Sequence, residues 1–161
     1  MSNKRLSLVL LVVVSVLVFS PVCFAADEAV GLSTGQTIYV PAYSHIYGGS
    51  LERPFLLTVT LSIRNIDPSH GITVTAVEYY ETQGKLLKTY LDKPVALKKL
   101  ESVRYIIPEK DKAGGSGANF IVKWKADRPV NPPIVESVMI GTKSQQGISF
   151  TSRGRVIYPA D

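Results

Sequence analysis

Eight consecutive residues, Leu57 to Arg64 (LTVTLSIR), alternate apolar and polar side chains without a break. Successive side chains of an extended strand point to opposite sides. A period of two therefore gathers Leu57, Val59, Leu61 and Ile63 on one face and Thr58, Thr60, Ser62 and Arg64 on the other. This is the pattern of a strand with one buried face. Nothing after Ala26 sustains the 3.6-residue period that an amphipathic helix requires.

The alternation recurs along the chain. Ile72 to Ala76 resumes it after the turn formers Asn65, Asp67, Pro68 and Gly71. It slips at Glu78-Tyr79-Tyr80, the mark of a bulge or of a strand buried on both faces. Gly84, within Glu81–Lys85, is placed for a positive φ, so residues 72–91 are expected to form a β-hairpin. Leu91 to Leu100 reads as a short helical turn after Pro94 or as a connecting loop. Ser102–Ile107 is a further strand, ended by Pro108. Asn119–Lys125 sets Phe120, Val122 and Trp124 opposite Ile121, Lys123 and Lys125, with Trp124 as a core anchor. Val135–Gly141 and Ile148–Tyr158 complete the set, and Gly154 is expected to kink or divide the last segment. Seven or eight short strands at this spacing predict an all-β chain, a single antiparallel β-sandwich of immunoglobulin-like architecture. The cysteine pair of that class is missing.

The N-terminus carries a different signal. Lys4 and Arg5 precede the apolar run Leu6–Phe19, which Pro21 breaks, and Cys23-Phe24-Ala25 supplies small residues before Ala26. This is the layout of a secretory signal peptide, a helix cleaved after Ala25. The run is shorter than the roughly 20 residues a helix needs to cross a bilayer core. An uncleaved anchor and lipid attachment at Cys23 are the alternatives, although Ser20-Pro21-Val22 lacks the Gly or Ala that usually precedes a lipidated cysteine. The expected division is signal peptide 1–25, flexible lead 26–36 and β-domain 37–161, with membrane contact only through the transient signal. No second long apolar stretch occurs, so the mature chain is expected to be soluble.

Cleavage leaves 136 of the 161 residues, ample for one domain. It also removes the chain's single cysteine, which excludes disulfides, thiol catalysis and Cys-ligated zinc from the mature protein. Without Lys4 and Arg5, the 18 basic residues fall to 16 against 13 carboxylates. Lys85/Lys88, Lys98/Lys99 and Lys123/Lys125 read as solvated lysines of sheet faces and edges. They form no dense stripe, so no nucleic-acid partner is expected.

Several strings together resemble a known family. They are Tyr39–Tyr47 (YVPAYSHIY), Leu61–Asn65 (LSIRN), Gly114–Phe120 (GGSGANF), Glu136–Gly141 (ESVMIG) and Gly147–Gly154 (GISFTSRG). They are similar to the uncharacterised bacterial family known as domain of unknown function 3124, over about Gly35 to Tyr158. The resemblance implies an exported bacterial protein, resident in the periplasm or outside the cell. It assigns no activity and no site.

Two segments are candidate binding surfaces. Tyr39, Tyr43, His45 and Tyr47 occupy alternate positions, so one extended strand sets three phenols and an imidazole on one face. Such a face suits a sugar or an aromatic ligand, or else a sheet edge with polar tips at its rim. Residues 108–119 (PEKDKAGGSGAN) form the longest non-strand stretch and contribute Asp111, Ser116 and Asn119. Gly114–Gly117 offers backbone N–H groups to an anion. It lacks the Lys-Ser/Thr and following helix of a P-loop, and a structured turn held by Asn119 and the glycines is the simpler reading.

Catalysis and metal binding find little support. His45 and His70, with Asp67, Asp111 and Glu136, show no metal-ligand spacing, so no metal or cofactor is expected. His70 reads as a turn residue. Ser116, His45 and Asp111 are the combination that a serine hydrolase would need, yet the G-x-S-x-G elbow is absent. Glu136 and Arg153 are read as a partly buried ion pair or a polar ligand site. The expected function is a non-enzymatic binding module of the cell envelope, with Tyr39, Tyr43, His45, Tyr47, Asp111, Ser116 and Asn119 facing a protein or glycan partner. The alternative is an assembly protein pairing through an exposed strand edge; a hydrolase is the remoter one.

Overall fold

A computed structural model describes residues 31–48, 51–142 and 147–159. The signal peptide, its cleavage site and Cys23 lie outside the described residues. Every regular element among the described residues is a strand, and every strand pairing is antiparallel. The strands are β1 Ser33–Pro41, β2 His45–Gly48, β3 Leu51–Leu56, β4 Thr58–Arg64, β5 Ile72–Tyr80 and β6 Leu86–Thr89. They continue as β7 Val95–Leu97, β8 Ser102–Ile107, β9 Asn119–Val130, β10 Ile134–Gly141, β11 Ile148–Arg153 and β12 Arg155–Pro159.

One sheet has the order β12-β1-β9-β5-β6, with β7 also paired to β5; a second has the order β11-β10-β4-β8; β2 and β3 form a separate hairpin. The described residues hold twelve strands, against the seven or eight that the spacing predicts. The excess comes from short pieces, such as β7, that carry too few residues to display a period. Val95–Leu97 pairs with Ile72–Val74 in place of the helical turn or loop read after Pro94.

The alternation in the sequence translates directly into burial. Val59, Leu61 and Ile63 of β4 are fully buried, while the intervening residues are not. Phe120, Val122 and Trp124 of β9 are buried opposite exposed Lys123 and Lys125. These side chains belong to one hydrophobic core cluster that also takes Ile38 and Val40 from β1, Val77 and Tyr79 from β5, and Val135 and Met139 from β10. Each buried aliphatic or aromatic side chain stabilises the fold by about 1.5–3 kcal/mol relative to exposure. Ser137, buried on β10, donates its hydroxyl proton to the Pro41 carbonyl and so ties β10 to β1.

Three local features differ from or refine the sequence reading. Ser33–Gln36, read as part of a flexible lead, belongs to β1, where Gly35 and Gln36 pair with Lys125 and Trp124 of β9. Cross-strand pairing at the centre of a sheet overrides the polar, glycine-containing composition there. The slip in β5 is a bulge: its register against β9 shifts between Val74 and Ala76, and against β6 between Tyr79 and Tyr80. Gly84 closes the β5–β6 turn with φ +85°, as a hairpin at that position requires.

Gly154 divides the last segment completely. Before it, β11 pairs with β10 in one sheet; after it, β12 pairs with β1 in the other. The Gly154 N–H donates to the Val135 carbonyl at 2.8 Å, anchoring the crossing point.

Candidate functional site

The expected tyrosine–histidine face is broken up by the chain path. β1 ends at Pro41, residues 42–44 turn, and β2 begins at His45, so Tyr39 and Tyr47 lie in different sheets. Tyr43 packs edge-on against Phe150 at 5.8 Å between ring centroids. His45 and Tyr47 form their own pair, with rings 5.2 Å apart and the His45 Nε2 3.2 Å from the Tyr47 hydroxyl. Proline and a short turn account for the break, since a period of two holds only while the chain stays extended.

The glycine-rich loop is tied down at two points. Ser44, fully buried, accepts a hydrogen bond from the Gly115 N–H at 2.9 Å and donates to the Gly115 carbonyl at 3.1 Å. Thr82 donates to the Gly114 carbonyl and accepts from the Gly117 N–H, each at 3.0 Å. Gly115 has φ +81°, and a Cβ there would run into the Thr82 hydroxyl, so glycine is required. A Cβ on Gly114 would strike the Tyr79 hydroxyl. The N–H groups of Gly115 and Gly117 therefore serve the fold, and the loop is a structured turn.

Beneath that loop lies an aromatic cluster. Tyr79 stacks on Phe120 at 5.0 Å, and Tyr90 meets Tyr105 at 5.2 Å and Phe120 at 6.1 Å. Burial raises the Tyr79 and Tyr90 phenols above their ordinary range, and the nearby Asp111 carboxylate adds to the effect. Both rings therefore stay neutral.

Ser116, His45 and Asp111 are not joined. His45 is engaged with Ser44 Oγ, 3.4 Å from Nδ1, and with Tyr47, while Asp111 Oδ1 accepts the Ala113 N–H at 3.0 Å. No hydrogen bond among the described residues links the three into a proton relay of the kind nucleophilic catalysis needs. Glu136 lies directly across from Arg153 in the β10–β11 ladder, yet its ion pair is with Arg64 of β4, at 3.3 Å. His70 caps a turn with Asp67, their side chains 3.3 Å apart. Among the described residues no group of three metal-ligating side chains converges.

A surface that the sequence did not single out is built on the outer face of the six-stranded sheet. Directly paired residues project to the same side. The register places Tyr158, Thr37, Lys123 and Ala76 in one row across β12, β1, β9 and β5. A second row holds Arg155, Tyr39, Ile121 and Glu78, and a third holds Gly35, Lys125 and Thr73. Pro41, Asn119 and Tyr80 form a fourth. Tyr39 and Asn119 are thus the two expected site residues that this face brings together.

Small residues at Gly35 and Thr37 leave a depression that lysines and tyrosines wall. It is an open groove of about 640 Å³, lined among others by Thr37, Tyr80, Lys123, Lys125 and Tyr158. Tyr158 is 68% exposed. Tyr80 donates to Glu78 Oε2 at 2.8 Å, a bond that raises the Tyr80 phenol above its ordinary value. Lys123 and Lys125 are visible in the sequence as one strand face, but Tyr158 and Tyr80 reach it only through strand order, which no local pattern encodes.

Comparison with known proteins places the chain among others. No curated protein matches it. The crystal structure of Thermotoga maritima 1070 is similar at 11% identity and a TM-score of 0.44, over 78% of this chain and 97% of that one. A family described as proteins of unknown function, DUF3124, matches residues 35–157. That match spans the strands of both large sheets, and the chain belongs to the DUF3124 family.

Proposed function

We propose that this is an exported, non-enzymatic recognition module of the bacterial cell envelope, reading its partner on the outer face of the six-stranded sheet. The single observation that carries this reading is the groove of about 640 Å³ walled by Lys123, Lys125, Tyr80 and Tyr158. Tyrosine gives rigid, amphipathic contact area, and lysine gives a charge at the end of a flexible stem. The N-terminal signal pattern supports export, to the periplasm or beyond it. The two large sheets share one core, which supports a two-layer sandwich of immunoglobulin-like type.

Retention from an envelope extract tests this reading. The immobilised wild-type protein is expected to hold a component that Lys123→Ala/Tyr158→Ala does not, with thermal unfolding of the two proteins alike. Identical retention by both proteins, or retention by neither, would remove this face as the recognition surface.

A second reading is favoured by β12. All five of its residues are exposed, including Val156, Ile157 and Tyr158, and β12 stands at the end of its sheet. An exposed edge strand offers unpaired backbone groups to another chain. In this reading the protein assembles by adding a strand at that edge. Sedimentation at rising concentration should then show self-association that Ile157→Lys weakens, Ile157 being the residue at the β1–β12 register shift. A monomer at every concentration would end the self-assembly form of it.

A further inference from the structure

We infer that the groove on the outer face of the six-stranded sheet binds an acidic saccharide chain, with carboxylates on Lys123 and Lys125 and a sugar ring against Tyr158. The inference rests on the proposed recognition face and names the class of its ligand. Lys123 and Lys125 are two residues apart on one face of β9, so their stems rise about 7 Å from each other along the strand. Two ammonium groups side by side suit a polymer that carries a carboxylate on successive units. The carboxylate that lines the groove, Glu78, already accepts the Tyr80 hydroxyl at 2.8 Å. It keeps its negative charge, so the groove's lining carries two ammonium groups against one carboxylate and is net positive.

The groove's form favours a chain over a compact molecule, because it is open and runs from β12 across β1 and β9 to β5. Its floor is a sheet face whose backbone groups are engaged in the ladders of β1, β9 and β5. An extended peptide, which binds mainly through backbone pairing, finds no such partner there. A nucleic acid needs many phosphate contacts or a run of stacking rings. This face supplies Lys123, Lys125 and the neighbouring Arg155 as cations, with Tyr158 as the most exposed ring. A sugar ring presents an apolar C–H face to an aromatic side chain and hydroxyls to Thr37, Tyr80 and the lysines.

Titration calorimetry with the purified protein tests the inference. The probes are polygalacturonate fragments, the same fragments fully methyl-esterified, polyglutamate and a single-stranded oligonucleotide. Binding is expected for polygalacturonate alone, weakening as salt rises. Lys123→Ala/Lys125→Ala should weaken it by at least about tenfold, since charge-assisted bonds are lost. Tyr158→Ala should weaken it several-fold while leaving the salt dependence in place. Equal binding of the esterified fragments, or unchanged affinity in the double lysine variant, would overturn the acidic class. Tighter binding of polyglutamate or of the oligonucleotide would overturn the saccharide. Loss of an envelope component in the groove variants, without uronate binding, would leave the recognition face standing and refute only this ligand class.

Discussion

Gly154→Val is expected to lower stability by about 3 kcal/mol, the upper end of the usual cost of forcing extra methyl groups into a packed site. Gly154 is where the chain leaves one sheet for the other, and its backbone passes directly over the core. A Cβ at this position would lie 2.5 Å from Ile38 Cγ2, 2.9 Å from the Val135 carbonyl oxygen and 3.2 Å from Val40 Cγ2. Ile38 and Val40 are buried in β1, and Val135 is held in β10, so the neighbours have little room to retreat. Moving the backbone instead breaks the 2.8 Å bond from the Gly154 N–H to Val135. For a domain of this size such a loss corresponds to a fall of roughly 10 °C in Tm. It should fall unevenly, since β12 is held to the protein through β1. Amide exchange in β12 and along the Gln36–Tyr39 edge of β1 should accelerate before the rest of the core does. Thr151→Val, on the exposed face of the adjoining strand, serves as the control. An unchanged unfolding midpoint for Gly154→Val would mean that the crossing point tolerates a side chain.

The strand from Leu57 to Arg64 and the faces of β9 were legible because each signal is local. Every second residue is apolar, and burial follows. Gly154 and Gly84 were legible for a similar reason: a lone glycine marks a kink in a strand pattern and a positive φ in a turn. The composition of Ser33–Gln36 pointed the wrong way because its place in β1 is secured by β9, more than 80 residues away in sequence. The same distance hid the groove. Tyr158 and Lys123 face one another across Thr37 only because β12 and β9 flank β1, and strand order is set by the whole chain. The Tyr39–Tyr47 face failed at Pro41, where an alternation of residue types continued but the strand did not. Ser44, unremarkable in sequence, proved to be the clasp of the glycine loop because it is buried opposite Gly115.

The acid limb of the stability curve should be set in large part by Asp67. Its carboxylate sits in the turn that leads from β4 to β5 and is almost wholly buried. Oδ2 accepts the Asn131 N–H at 3.0 Å, and Oδ1 accepts the N–H groups of Ser69 and His70 at 2.9 and 2.8 Å. The Asn131 bond first, then the bond from Ser69, holds this carboxyl far below its ordinary value, against the opposing effect of burial. Asp67 is thereby a joint between two segments: it fastens its own turn and pins Asn131, which follows the long strand β9. Neighbouring Asn65 extends the joint, accepting the Asp67 N–H and donating to the carbonyls of His70 and Lys98. A group whose pKa is lower folded than unfolded gives stability that is complete above the unfolded value. That contribution is withdrawn as pH falls below it toward the folded value. With an unfolded value near 3.8, the wild-type urea midpoint should be steady above about pH 5 and drop steeply below pH 4. Asp67→Asn keeps the shape and one acceptor but removes the charge. It should be less stable than wild type at neutral pH and lose much less on acidification, so the two curves draw together at low pH. Parallel curves across the whole range would show that Asp67 acts through packing, and that its charge contributes nothing to holding the turn.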